Sequence, residues 1–188
     1  MPNAGVNTTR QAVRLGMAAY FGGSYVERDR SWQGGPLMAY GLGTVKAYLG
    51  KGIADSDYTA GMVEGRGMGT VAAIQLRASH RARRSSGGKI PVAAATGFKV
   101  EAFGVVLHLF HLSEQAYVED AEADLEALIE QIIDQIEADR QLGGCVVQAG
   151  EGDAGIDSVM DIPEVSGDRG RAGTLAQVSF DVLIVVQA

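Results

Sequence analysis

Residues 113–144, SEQAYVEDAEADLEALIEQIIDQIEADRQLGG, constrain the fold of this chain more than any other stretch. Val118, Ala121, Leu125, Leu128, Ile129, Ile132, Ile133 and Ile136 recur at three- and four-residue steps, which sets them along one stripe of a 3.6-residue period. That spacing predicts a single long amphipathic helix. Ser113 suits the N-cap, carboxylates crowd the first turns where the helix dipole favours them, and Arg140 with Gly143 and Gly144 supplies a C-terminal stop. A stripe of this kind needs a surface to pack on, because each large side chain gains about 1.5–3 kcal/mol only when it is buried.

The sequence on either side offers that surface. Thr70 to Ala78 alternates, with Ala72, Ile74 and Leu76 opposite Val71, Gln75 and Arg77, and predicts a strand with one wet face. A second extended region, Ile90 to Leu112, places Phe103, Val105, Leu107 and Leu109 on one face and Val106, His108 and Phe110 on the other. With both faces apolar it reads as a central strand. The polar, arginine-dense connection 79–89, SHRARRSSGGK, makes the pair an extended β-hairpin with a basic tip. After the long helix come a short strand over Cys145 to Ala149, an acidic glycine-rich loop through Ser158, and an irregular stretch holding Pro163. A closing strand follows with Ala176, Val178, Phe180, Val182, Ile184 and Val186 on one face. Near the start, Thr8 or Thr9 caps a shorter helix through Phe21, with Ala12, Leu15, Ala18 and Ala19 inward and Gly22-Gly23 ending it.

From Ser24 to Gly69 frequent glycines cut the chain into short strands and long loops. At 188 residues and 46% hydrophobic content, the expectation is a single α+β domain over 1–188, loop-rich over 24–69. A mainly antiparallel β-sheet is packed on one face by the long helix and the shorter N-terminal one. The opening lacks an apolar signal core, and the longest apolar run, Phe103 to Leu112, is too short to span a bilayer. These features point to a soluble protein with no membrane partner.

The motifs that carry chemistry fail on their context. Gly150-Glu151-Gly152-Asp153-Ala154-Gly155 spells G-x-G-x-x-G after an expected strand. It sets two carboxylates where a pyrophosphate would sit, and no helix reads out of residues 156–163. Glu151, Asp153, Asp157 and Asp161 lack EF-hand spacing and read as a solvated acidic loop. His108 and His111 form H-x-x-H, yet residues three apart on a strand face opposite ways and do not chelate one metal. Ser85 and Ser86 have no G-x-S-x-G setting. Cys145, the only cysteine, can form neither an internal disulfide nor a C-x-x-C pair and reads as a small buried residue. The residues therefore point to no catalytic group, no cofactor and no metal. A small nucleotide-binding enzyme built on the 150–155 loop is the remote alternative.

Charge is distributed unevenly. Residues 1–100 hold 13 Lys and Arg against 5 Asp and Glu, and residues 101–188 hold 3 against 18. A +8 half thus precedes a −15 half, a split that can steer complementary surfaces of identical subunits together. Arg77, Arg81, Arg83 and Arg84, with His80, form the densest basic cluster. Without aromatic stacking partners it does not suit sequence-specific nucleic-acid reading. It fits better against acidic protein surface, for which Glu119, Glu122 and Glu126 on the long helix are the candidate counterpart.

The sequence VVLHLFHLSEQAYVEDAEADLEALIEQIIDQIEADRQLGGCVVQAGEG, with its ED-A-E helix start and D-R-x-L-G-G ending, and the closing AQVSFDVLIVVQA resemble the tail terminator (tail completion) proteins of long-tailed bacteriophages and phage-like particles. The resemblance covers about residues 100–188; the first half matches only as an N-terminal helix followed by β-rich sequence. It implies an α+β virion subunit, assembled in the host cytoplasm, that forms a homo-oligomeric ring, commonly a hexamer. Such a ring caps the tail tube, ends its polymerisation and offers the surface on which the DNA-filled head docks. The implied partners are other copies of the chain, the tail tube protein, a head-tail connector or stopper, and genomic DNA passing through the lumen without sequence-specific contact. A connector or stopper of the neck shares this size and architecture and is the alternative reading. No catalysis is implied.

Overall fold

The computed structural model describes residues 10–28, 31–49, 69–78, 98–112, 118–150, 155–160, 164–166 and 171–187. Within them the side chains of residues 31–33, 78, 98–100, 118, 120, 121, 164–166, 171–173 and 185–187 are not described. The chain is α+β: among the described residues it forms two α-helices and one mixed sheet.

Helix α1 spans Arg10–Gly22, and strands β1 (Gly23–Val26) and β2 (Ser31–Gly34) follow it as an antiparallel pair. A 3-10 turn over Pro36–Tyr40 leads into β3 (Leu42–Lys46). Strands β4 (Gly69–Ala78) and β5 (Phe98–Leu112) precede helix α2 (Val118–Ala138). Short strands β6 (Gln148–Ala149), β7 (Ile156–Met160) and β8 (Glu164–Ser166) lead to β9 (Arg171–Gln187). The sheet runs β1-β2-β3-β4-β5-β9-β6, with β7 and β8 also paired to β9.

The two longest strands form its centre. Antiparallel pairing of β5 with β9 runs from Phe98↔Gln187 to Leu112↔Gly173, and β4 pairs antiparallel with β5 from Gly69↔Leu112 to Ala78↔Phe103. The expected basic tip between them, including Arg81, Arg83 and Arg84, lies outside the described residues. The other edge of β9 is lined in turn by β8, β7 and β6.

The core fills one side of this sheet. Phe103, Val105, Leu107 and Leu109 of β5 join Ala72 and Ile74 of β4 and Ala176, Val178, Phe180, Val182 and Ile184 of β9. Onto them pack Leu125, Leu128, Ile129, Ile132 and Ile136 of α2, with Ile133 at the margin. Val118 and Ala121 lie on α2, but their side chains are outside the description. Residues 113–117, with the expected Ser113 cap, are outside it altogether.

Helix α2 ends in a turn held by Asp139, whose carboxylate accepts from the backbone N–H of Gln141 at 3.0 Å and of Gly143 at 2.7 Å. Leu142, Gly143 and Gly144 then take left-handed φ values of 48°, 69° and 84°. The strain at a non-glycine residue is offset by full burial of the Leu142 side chain. Arg140 reaches past the turn and donates to the Ala149 carbonyl at 3.2 Å.

Several expectations are corrected. The inward face of α1 is Val13, Met17, Ala18 and Phe21, while Leu15 is 36% exposed and Ala12 and Ala19 are half-buried. The bulkier Val, Met and Phe gain more from burial than the alanines and set the rotation of the helix. The sheet is mainly antiparallel, as expected, with one parallel pairing, β3 with β4 from Leu42↔Thr70 to Lys46↔Ala73. Strand β4 has no wet face over Val71–Ile74, where all four residues are buried. Ala73 is a small side chain set between Lys46 and His108, and Arg77 near the strand's end is exposed. The short strand expected over Cys145 to Ala149 is reduced to Gln148–Ala149. Residues 156–158, read as loop, belong to β7, which turns Ile156 and Met160 toward the core.

Candidate interaction surface

The outer side of α2 presents Glu119, Asp124, Glu126, Glu130, Asp134 and Glu137 to solvent, with Glu122 half-buried. The apolar stripe forces this arrangement: once Leu125, Leu128, Ile132 and Ile136 face the sheet, the carboxylates at intervening positions face water. One salt bridge on this face is described, Arg140 with Glu137 at 4.0 Å between two partly exposed side chains, a contact of little energetic weight. The face therefore carries a negative field with little compensation from its own helix.

Arg77 is exposed on the opposite side of the sheet. Ile74 of β4 faces the helices, so Arg77, three positions on, faces away from them. Its Nε and Nη2 donate to Gln75 Oε1 at 3.3 and 3.2 Å, and His108 Nε2 lies 2.9 Å from the same oxygen. Burial and the nearby Arg77 charge hold the His108 pKa below its ordinary value. Asp181 flanks the same region across Gly104. The structure thus does not bring Arg77 to Glu119, Glu122 and Glu126 within one subunit; the sheet separates them. Arg81, Arg83 and Arg84 are outside the described residues.

Three sequence features resolve into structural roles. His108 and His111 face opposite sides of β5: the first meets Gln75, the second lies with Nδ1 2.9 Å from Thr70 Oγ1. Cys145 is buried, its thiol donates to the Leu142 carbonyl at 3.0 Å, and burial pushes its pKa up to about 12. A thiol so hard to ionise is a poor nucleophile. Of the G-x-G-x-x-G segment, Gly150 and Gly155 are described, and the element that follows is strand β7. A pyrophosphate would need a helix N-terminus there. Of the acidic loop residues, Asp157 is described and exposed on β7. Among the described residues no group of three or more His, Cys, Asp or Glu side chains is placed to hold a metal ion, and no helix is long and apolar enough to cross a membrane.

Sequence reasoning missed Arg14. It sits on α1 and donates from Nη1 to the Ile74 carbonyl at 2.9 Å and the Ala47 carbonyl at 3.3 Å. Strand β3 follows β4 only as far as Lys46 opposite Ala73, so Arg14 meets a β4 carbonyl just where β3 departs. Its guanidinium also lies 4.9 Å from the centre of the Tyr48 ring, and burial lowers its pKa. The available signal was a single charged residue between Ala12 and Gly22 in an otherwise apolar stretch of the helix, which equally describes a solvated side chain.

The chain matches no protein-family model and no curated protein.

Proposed function

We propose that this protein is a structural virion subunit that assembles head-to-tail into a ring at the top of a phage tail, ends tube polymerisation and offers the head its docking surface. The reading rests on the resemblance of residues 100–188 to tail terminator proteins. The observation that supports it most is the placement of charge: an acidic helix face on one side of the sheet and Arg77 on the other. Rings built from identical subunits use heterologous contacts, which need two different complementary surfaces on each copy. Surfaces that one subunit cannot pair internally remain available to its neighbours.

The extended hairpin and its arginines form the basic side of this contact, and α2 with Glu119, Glu122 and Glu126 the acidic side. Replacing Arg81, Arg83 and Arg84 together by Glu is expected to block ring formation or docking, read by native mass and by particle assembly. An unchanged ring and normal particles would remove that role. Position in the particle is read from the assembly phenotype. Loss of a terminator leaves tails of uncontrolled length, whereas loss of a connector or stopper leaves filled heads that leak DNA beside unattached tails of normal length.

A further inference from the structure

His111 occupies the helix-facing side of β5, one residue before the strand ends. It is the middle of a row of polar side chains that crosses three strands, Thr70 on β4, His111 on β5 and Thr174 on β9. All three are buried, with exposures of 1%, 7% and 5%. The ring's Nδ1 lies 2.9 Å from Thr70 Oγ1, while Nε2 is buried and, among the described residues, has no hydrogen-bond partner. If Nδ1 accepts from the Thr70 hydroxyl, the Nε2 proton has no acceptor; if Nδ1 donates, the Nε2 lone pair has no donor.

The cationic ring fits this site less well still. It would carry two N–H groups, of which Thr70 could accept one, and it would bring a charge into a site closed to water. Among the described residues β4 and β9 present only neutral threonines to it, and α2 presents Asp124, whose carboxylate favours the cation. Burial outweighs that attraction and holds the His111 pKa below its ordinary value.

From this geometry we infer that His111 is an acid-sensitive latch: the first half of α2 stays packed on β5 while the imidazole is neutral, and loosens when it takes up a proton. The strand-to-helix connection begins immediately after Leu112, so this opening need not disturb the pairing of β5 with β9. Local opening of this kind costs less free energy than the global opening that core strands require. The sign follows from linkage. A base whose closed-state pKa is lowered binds protons preferentially in the open state, so opening becomes easier as pH falls below the open-state pKa, near 6.5. At pH 5.5, one unit lower, the opening equilibrium rises by up to about tenfold.

Amide hydrogen exchange on the full chain at pH 7.5 and 5.5, corrected for the intrinsic pH dependence with an unstructured peptide, tests this. In wild type, amides 119–128 should exchange faster than those of β9 at both pH values, and their protection should fall on acidification, by up to about tenfold. His111→Gln should abolish that fall and His108→Gln should keep it. The inference is overturned by a fall that persists in His111→Gln, by its absence in wild type, or by a common exchange rate for 119–128 and β9, which would mean only global opening. Should His111→Gln fail to fold, an NMR titration of wild type decides: an imidazole midpoint below the ordinary histidine value supports the latch, and one at or above it overturns it.

Discussion

Gly35 carries a constraint out of proportion to its size. A Cβ built on it would come within 2.7 Å of Gly22 and Gly23 backbone atoms, and closer still to the Phe21 carbonyl. Gly23 in turn sits at φ 81° against the Gly35 backbone. The C-terminus of α1 thus rests main chain to main chain on the segment entering the 3-10 turn, and neither side has a flexible side chain that could yield. Gly35→Ala is expected to cost about 1–3 kcal/mol, read as a lowered Tm; an unshifted Tm would contradict the close approach. The glycine pairs 22–23 and 34–35 are visible in the sequence as chain breakers, but their mutual contact is not, because nothing local relates residues a dozen positions apart. Arg14 is a similar case: its type is legible, while its two carbonyl partners, 33 and 60 positions away, are set by tertiary structure.

Among elements, legibility follows the length of the periodic signal. Five buried positions of α2, Leu125, Leu128, Ile129, Ile132 and Ile136, repeat often enough for the period to be unambiguous, and the alternation along β5 and β9 is equally sustained. Strand β7 escaped because Asp157 and Ser158 dominate a five-residue segment whose only inward signals are Ile156 and Met160. The rotation of α1 was misjudged because alanines and one leucine compete on paper with Val13, Met17 and Phe21, and volume settles the matter only once there is a core to fill. The parallel pairing of β3 with β4 joins strands separated by more than twenty residues, and no local pattern encodes such a partner. If α2 anchors the fold as its burial indicates, Leu128→Asp, which places a charge in a fully buried position, should cost more than about 4 kcal/mol and leave the chain unfolded or aggregated. A soluble variant with wild-type Tm would show that the stripe is not core.

The whole molecule is an α+β unit whose charge is divided unevenly between the two sequence halves, with the acidic face of α2 on one side of the sheet and Arg77 on the other. The charge imbalance was legible from residue counts alone. The alternation of β4 also set Arg77 opposite Ile74, as found; that the acidic face of α2 lies across the sheet from it was not legible, because tertiary packing decides which side of the sheet the helix covers. On the proposed reading, complementary surfaces of this kind steer identical subunits together. The most direct measurement is the native mass of the full chain, alone and with the tail tube protein, accompanied by negative-stain imaging of the same samples. A closed ring whose mass is a small integer multiple of the 19.7 kDa subunit, a hexamer on the proposed reading, is the predicted result; a monomer under both conditions would contradict it.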